Sequence, residues 1–395
     1  MTAPIVRLHI GAMKTGTTYV QQMLAANAVM LKESGVLYPM PWPSQVAATR
    51  DALGLKGGDF KGPVTGSWDA MLERIHSWDG PEVVMSMEFL SFADPEGAKK
   101  VVTDLAPCQV EVVLGARDLA RTVPAQWATA VRNGQQWTYR KYLDQLTRRA
   151  PSSAQRHFWL RQDLGVIASN WATQVGPEHT HVVTVPPRGA DPALLWNRMA
   201  GVLNLDAAAM TDSTPKNESL GPTTIELLRR VNIAAAEADM PKLTYKTQVN
   251  RELSHVVLPA IPEQHPSLVV PDEFHDWVRR ESDRILAEIR ASGAAIVGDL
   301  ADLEPVMEKG RPMVWPEDLP TEDLLESAVA ALVGYASLTA ERELPDSRRA
   351  AAGHHPIGKR GAGKRGGKGG GRRPGGGKGR GHGGRRADGG DEPAE

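Results

Sequence analysis

Short apolar runs alternating with helical periodicities predict an α/β protein: a three-layer sandwich with a central, mostly parallel sheet and helices on both faces. Three observations carry this expectation. Ile5–Ile10, Glu82–Met87 and Val110–Leu114 are brief and rich in β-branched residues, as strands are. Each is followed by a stretch whose apolar residues recur at three- and four-residue steps. Glycine, proline, aspartate or asparagine marks most junctions between them.

In chain order, the helical pattern starts at Thr18, with Val20, Met23, Leu24, Met30 and Leu31 apolar. Gly35–Tyr38 reads as a short strand, closed by Pro39, Pro41 and Pro43. Residues 44–66 show no strong period, and their glycines suggest a long loop able to shape a substrate pocket. Trp68, Met71, Leu72 and Ile75 give a helix to about Trp78. Asp94-Pro95 opens another through Leu105, with aspartate as N-cap and proline at the first helical position. After the Val110 strand a helix runs to about Val131 and stops at Asn133-Gly134. Residues 139–175 are mostly helical, His181–Val185 is a strand, and Ala193–Leu205 is an amphipathic helix. Asn217–Pro222 turns into a helix ending near Glu237. Residues 241–272 are proline-punctuated and irregular. Asp272–Ser292 is a charged amphipathic helix, the segment to Pro320 lacks periodicity, and Asp323–Arg342 is a last helix.

At 395 residues the chain is long enough for a large core. The expected divisions are an α/β domain over 1–300, a helical extension over 301–345, and a disordered tail over 346–395. The near-zero net charge hides an asymmetry. From Asp346 to Glu395 thirteen Lys/Arg stand against five Asp/Glu, leaving 33 basic and 42 acidic residues in the rest. Glycine, arginine and lysine dominate the tail, which cannot bury enough apolar area to offset chain entropy. Its partner would be an anionic surface or nucleic acid, held weakly through phosphates; without aromatics it has nothing to stack on bases. The single cysteine, Cys108, excludes an intrachain disulfide and a cysteine zinc site. No apolar run approaches a membrane span and no signal peptide precedes the first strand, so a cytoplasmic protein is expected.

The stretch that organises the chain is Ile5–Thr18. A strand gives way to Gly11-Ala12-Met13-Lys14-Thr15-Gly16-Thr17-Thr18 and then to a helix. The first N–H groups of a helix lack intrahelical acceptors, the macrodipole is positive there, and glycine lets the main chain approach a phosphate. The glycine spacing is that of a Walker A loop, G-x-x-x-x-G-K-[ST]. The lysine, however, has moved ahead of the second glycine, and the Lys-Ser/Thr pair that serves the nucleotide and Mg²⁺ is missing.

Lys14-Thr15-Gly16-Thr17-Thr18 in a strand–loop–helix setting resembles the 5′-phosphosulfate loop of the sulfotransferases, with Met13 where proline is common. The resemblance implies a donor, 3′-phosphoadenosine-5′-phosphosulfate (PAPS), used as co-substrate without a metal. It implies a hydroxyl or amine of a small-molecule or glycan acceptor. Lys14 would stabilise the leaving phosphate, and Thr15, Gly16, Thr17 and Thr18 would hold it. The family's strand-end arginine, which binds the 3′-phosphate, is matched by Arg117; its serine eight residues on is replaced by Ala125. Thr122 and Thr129 lie on the same helix face, and Thr122 is the expected substitute. The family's late glycine-rich Arg/Lys segment has no counterpart before the tail. Glu88, just after a strand, is the expected general base; His9 and His76 read as structural.

The Lys14 loop, Glu88 and Arg117 each come directly after a strand, so a parallel sheet would bring all three to one edge. The alternatives are a P-loop kinase or NTPase, a non-catalytic nucleotide-binding protein of the same fold, and a carrier for the basic tail.

Overall fold

A computed structural model describes residues 3–56, 62–211 and 220–343, with side chains to residue 340. The 346–395 tail, residues 57–61 of the expected loop and residues 217–219 of the expected turn lie outside these. Six strands form one all-parallel sheet in the order β2-β3-β1-β4-β5-β6. They are β1 (Ile5–Gly11), β2 (Val36–Leu37), β3 (Glu82–Ser86), β4 (Gln109–Ala116), β5 (Thr180–Thr184) and β6 (Ala295–Val297). The described residues up to Thr339 make one compact unit.

Alternation along each central strand divides the core in two. Val6, Leu8, Ile10, Val83, Met85, Val112 and Leu114 face one way. They pack on α4 (Ser67–His76), α5 (Pro95–Asp104), α6 (Leu119–Arg132), α9 (Leu164–Val175) and α13 (His275–Ala291). Val84, Val113 and Val183 face the other way, against α1 (Thr17–Ala26), α2 (Ala28–Glu33) and α10 (Ala193–Val202). Strands β1 and β4 are neighbours that send their helices, α1 and α6, to opposite faces. In a parallel sheet such a switch point is where a ligand crevice is expected, at the carboxyl ends of the two strands.

Local chemistry fixes several ends, that at Asp94 as expected. Asp94 accepts from the Gly97 amide and starts α5; Asp118 accepts from the Arg121 amide and starts α6. Ser152 and Gln155 form a reciprocal cap at α8 (Ser153–Gln162). At the amino ends of the strands Arg7 bridges Glu82 at 2.6 Å and Glu111 at 3.1 Å, tying β1 to both neighbours.

Three expectations are corrected. Trp42–Ala52, expected as loop, is helix α3, because its buried face is built of Gln45, Ala48, Thr49 and Ala52 and so carries no hydrophobic contrast. Gln45 holds it in place, donating to the Pro39 carbonyl and accepting from the Ser86 amide, each at 2.9 Å. The segment expected as irregular, 241–272, contains one turn of α-helix, α12 (Lys242–Thr244), running into a π-helix, Tyr245–Val257. Its pitch spaces buried Val249, Glu252, Ser254 and Val257 off the 3.6-residue period. Strand β6 lies within the stretch that showed no period and is a half-exposed edge of three residues.

The loop after β1 leans on β4. The register shifts between His9 and Gly11 as β1 leaves the ladder, and the Ala12 amide donates to the Gly115 carbonyl at 2.9 Å. A Cβ at Gly115 would lie 2.5 Å from Thr15 Oγ1 and 3.1 Å from the Gly11 carbonyl oxygen. Gly115→Ala should therefore push the loop off the strand and cost about 1–3 kcal/mol. A thermal unfolding midpoint unchanged by that substitution would contradict this packing.

Candidate active site

The loop Ala12–Gly16 is short and closed from within. Thr15 Oγ1 donates to the Ala12 carbonyl at 2.6 Å, and Gln162, at the end of α8, donates to the Met13 carbonyl at 2.8 Å. Lys14 sits at the turn with φ +69°, a left-handed conformation that is costly for a residue with a side chain and is tolerated where surroundings impose it. Gly16 precedes α1 at φ +90°. The first intrahelical bond of α1 is Val20 N–H to the Gly16 carbonyl at 3.1 Å, so the amides of Thr17, Thr18 and Tyr19 precede the ladder. Gly11 allows the approach of the next strand end: a Cβ there would lie 2.9 Å from Glu88 Cβ.

The expected residues divide by what their side chains do. The Thr15 hydroxyl is turned inward and spent on the loop, Thr17 is buried, and Thr18 is exposed at the helix start. Arg117 comes to the loop, its Nη1 donating to the Lys14 carbonyl at 3.2 Å. Glu88 opens a 3₁₀ turn after β3, and Gln21 of α1 donates to its Oε2 at 2.8 Å. Thr122 is buried in α6 with no hydrogen-bond partner for its hydroxyl among the described residues. One turn on, the buried Gln126 amide is likewise unpartnered at both ends. Thr129 donates back to the Ala125 carbonyl within the helix. His9 is a core residue, its Nδ1 2.7 Å from Ser86 Oγ, and burial pushes its pKa down to about 4. His76 lies on α4, its Nε2 3.4 Å from the Leu105 carbonyl.

The electrostatics are those of a site short of negative charge. Burial lowers the Lys14 pKa to about 8, Arg132 and Arg117 press it further down, and only Glu88 opposes them. Burial likewise lowers Arg117 to about 10, with Arg121 and Arg188 adding to the effect and Asp118 opposing it. Asp118 is itself engaged by Arg121. Neither Lys14 nor Arg117 has a carboxylate at ion-pair distance among the described residues. Cations held together without counter-ions are costly, and the cost is relieved by a polyanion.

Sequence reasoning missed two residues of this environment. Arg132, the last residue of α6, acts on Lys14. His255, on the π-helix, is pushed below the ordinary histidine range by burial, opposed by its bond to Asn250, and lowered further by Arg132 and Lys14. Its Nδ1 lies 2.6 Å from the Asn250 carbonyl oxygen, which can only accept. The proton is therefore on Nδ1 and the lone pair on Nε2. Asn250 also donates to the Arg132 carbonyl at 2.7 Å, tying the π-helix to the end of α6. Nothing in the sequence marks His255, because the turn that presents it has no 3.6-residue signal.

Two cavities flank the crevice, and neither is lined by the Lys14 loop. One of about 490 Å³ lies beside Asp118, Arg121, Pro187 and Arg188. The other, about 540 Å³, is lined by Asn133, Gly134 and Gln136 together with Tyr245 and Asn250. Asn133, Gly134 and Gln136, just past the end of α6, thus line a cavity.

No family model and no curated protein matches the chain. Among solved structures, it is similar to the crystal structure of a sulfotransferase from Alicyclobacillus acidocaldarius, with 14% identity and a TM-score of 0.37. The match covers 61% of this chain and 96% of that one.

Proposed function

We propose that this protein is a sulfotransferase that moves a sulfuryl group from PAPS to a hydroxyl or amine acceptor. The observation that carries the reading is the group of cations, Lys14, Arg117 and Arg132, around a loop that offers helix-start amides, with no carboxylate at ion-pair distance from Lys14 or Arg117 among the described residues. In this transfer the bond from sulfur to the 5′-phosphate oxygen breaks as the acceptor oxygen or nitrogen bonds to sulfur. Negative charge builds on the departing phosphate, so preorganised donors at that oxygen lower the barrier. Lys14 is assigned there, and the backbone of Gly16, Thr17 and Thr18 is assigned to the rest of the 5′-phosphate. Arg117 and the unpartnered hydroxyl of Thr122 are assigned to the 3′-phosphate, in place of the family's arginine and serine. A metal has no assigned role, because the charge it would supply is present as Lys14 and Arg117.

The acceptor's proton has two candidate destinations: the carboxylate of Glu88 and the Nε2 lone pair of His255. The acceptor, a small molecule or a glycan, is assigned to the side of the crevice bordered by the π-helix. A cytoplasmic setting goes with this reading and with the lone Cys108.

A P-loop kinase or NTPase needs a Lys-Ser/Thr pair after the second glycine, and here Thr17-Thr18 stands there. Calorimetric titration separates the readings. Adenosine 3′,5′-bisphosphate should bind without Mg²⁺ and more tightly than ATP with it. Arg117→Ala should weaken the bisphosphate at least tenfold, the effect of losing about 1.4 kcal/mol, and weaken adenosine 5′-phosphate far less. Mg²⁺-dependent ATP binding, or equal losses for both ligands, would refute the assignment.

The pH dependence has a worked sign. A lysine with a lowered pKa is charged below that value and neutral above it, so Lys14 supplies its cation below about pH 8. A base must be neutral, or ionised if a carboxyl, and is lost as the pH falls. Bisphosphate release per free enzyme, kcat/KM, should therefore fall as the pH rises through about 8, and Lys14→Arg should carry that limb upward. A limb that stays in place in Lys14→Arg would mean that another group sets it.

A further inference from the structure

The last helix, α14 (Thr321–Glu343), has two unlike faces. Leu324, Ser327 and Ala331 are buried against the domain. Leu325, Val329, Leu332 and Val333 are 63%, 52%, 71% and 62% exposed, and their spacing of four, three and one residues places them on one stripe. From Ser327 to Ala340 there is no charged residue, an uncharged stretch of about 21 Å at the helical rise. A solvated helix ordinarily interleaves charges on its outer face, and an aliphatic stripe left open marks a docking surface.

Contrary to the expectation that no apolar run approaches a membrane span, Thr321–Ala340 is long and apolar enough to cross a membrane by length and composition alone. Its inner face is nevertheless packed on the domain, so lipid cannot surround it. The outer stripe can instead lie along a surface. The C-terminal segment of the chain selects that surface: from Asp346 to Glu395 thirteen Lys/Arg stand against five Asp/Glu. A polybasic segment next to an aliphatic stripe supplies two signals, each weak alone, that add on an anionic bilayer. A second copy of the chain would cover the stripe but would leave the basic segment without a role.

We propose that α14 is a membrane-docking face, with Leu325, Val329, Leu332 and Val333 entering the headgroup boundary of an anionic lipid surface while the basic segment beyond it neutralises lipid phosphates. The interaction is peripheral and reversible, and it is independent of the reading of the Lys14 site.

Flotation of the full chain with phosphatidylcholine vesicles, with and without phosphatidylglycerol, tests it. The intact protein should float with the anionic vesicles and stay behind with the neutral ones. Val329→Glu together with Leu332→Glu should lower the partition at least about tenfold, since two exposed aliphatic side chains lose their burial. Removal of residues 346–395 should lower it as well. Both positions are exposed, so the unfolding midpoint should be unchanged; if the glutamates lower it, Val329→Ser with Leu332→Ser gives the same comparison without charge. No flotation of the intact protein overturns the proposal. So does flotation that survives the stripe substitutions, which would make the tail the only binder. Loss of a dimer in sedimentation velocity, with no vesicle binding, would overturn it too and identify the stripe as a contact between copies of this chain.

Discussion

The structure turns on positive charge gathered where two adjacent strands end. Lys14 at the tip of the β1 loop and Arg117 at the end of β4 are brought together by a hydrogen bond from the guanidinium to the Lys14 carbonyl, and Arg132 adds to the same field. Like charges so placed oppose folding, and each depresses the others' hold on a proton. The domain tolerates this because the sheet and its two apolar layers are extensive enough to hold the loop against its own repulsion. An anion entering here would return that cost, which is the logic of a site built before its ligand arrives.

Almost every local feature around Lys14 serves that arrangement. Gly115 lets the loop lie flat on β4, Gly11 admits the Glu88 strand end, and Thr15 and Gln162 tie the loop's own carbonyls. These contacts turn the loop's acceptors inward, and the amides at the start of α1 stand at the carboxyl edge with the cations. Glu88 is held by Gln21 rather than by a cation, close enough to Lys14 to offset part of its loss of charge. The π-helix completes the group by presenting His255 in the tautomer whose Nε2 is unprotonated. A π-turn costs hydrogen-bond geometry, and such turns concentrate at functional sites.

The parallel sheet and the turn from β1 through the Lys14 loop into α1 were legible in the sequence because each rests on a local pattern. Strands β3 and β4 are largely apolar and β1 alternates apolar residues with Arg7 and His9, and all three are rich in β-branched residues. The Asp94 cap announces its helix. The features that escaped lack such patterns. Helix α3 buries glutamine, threonine and alanine, so its inner face resembles its outer one. The π-helix repeats at the wrong interval for a helical search, and β6 is three residues on an edge. His255 and Arg132 reach Lys14 through tertiary packing, at 241 and 118 residues' remove in the chain, and no spacing in one sequence records that. That Ala125 stands where the resembled family has a serine was visible; that Thr122 has an unpartnered hydroxyl in its neighbourhood among the described residues was not.

If the Lys14 ammonium is held in a desolvated, cation-rich place awaiting a polyanion, its own titration should show it. Nitrogen-detected NMR of the lysine side chains, with the Lys14 signal identified by its absence in Lys14→Arg, measures this directly. The predicted result is a titration near pH 8 in the free protein and a clear rise when adenosine 3′,5′-bisphosphate is added. A Lys14 signal that titrates with the ordinary lysines, and is indifferent to the bisphosphate, would contradict it.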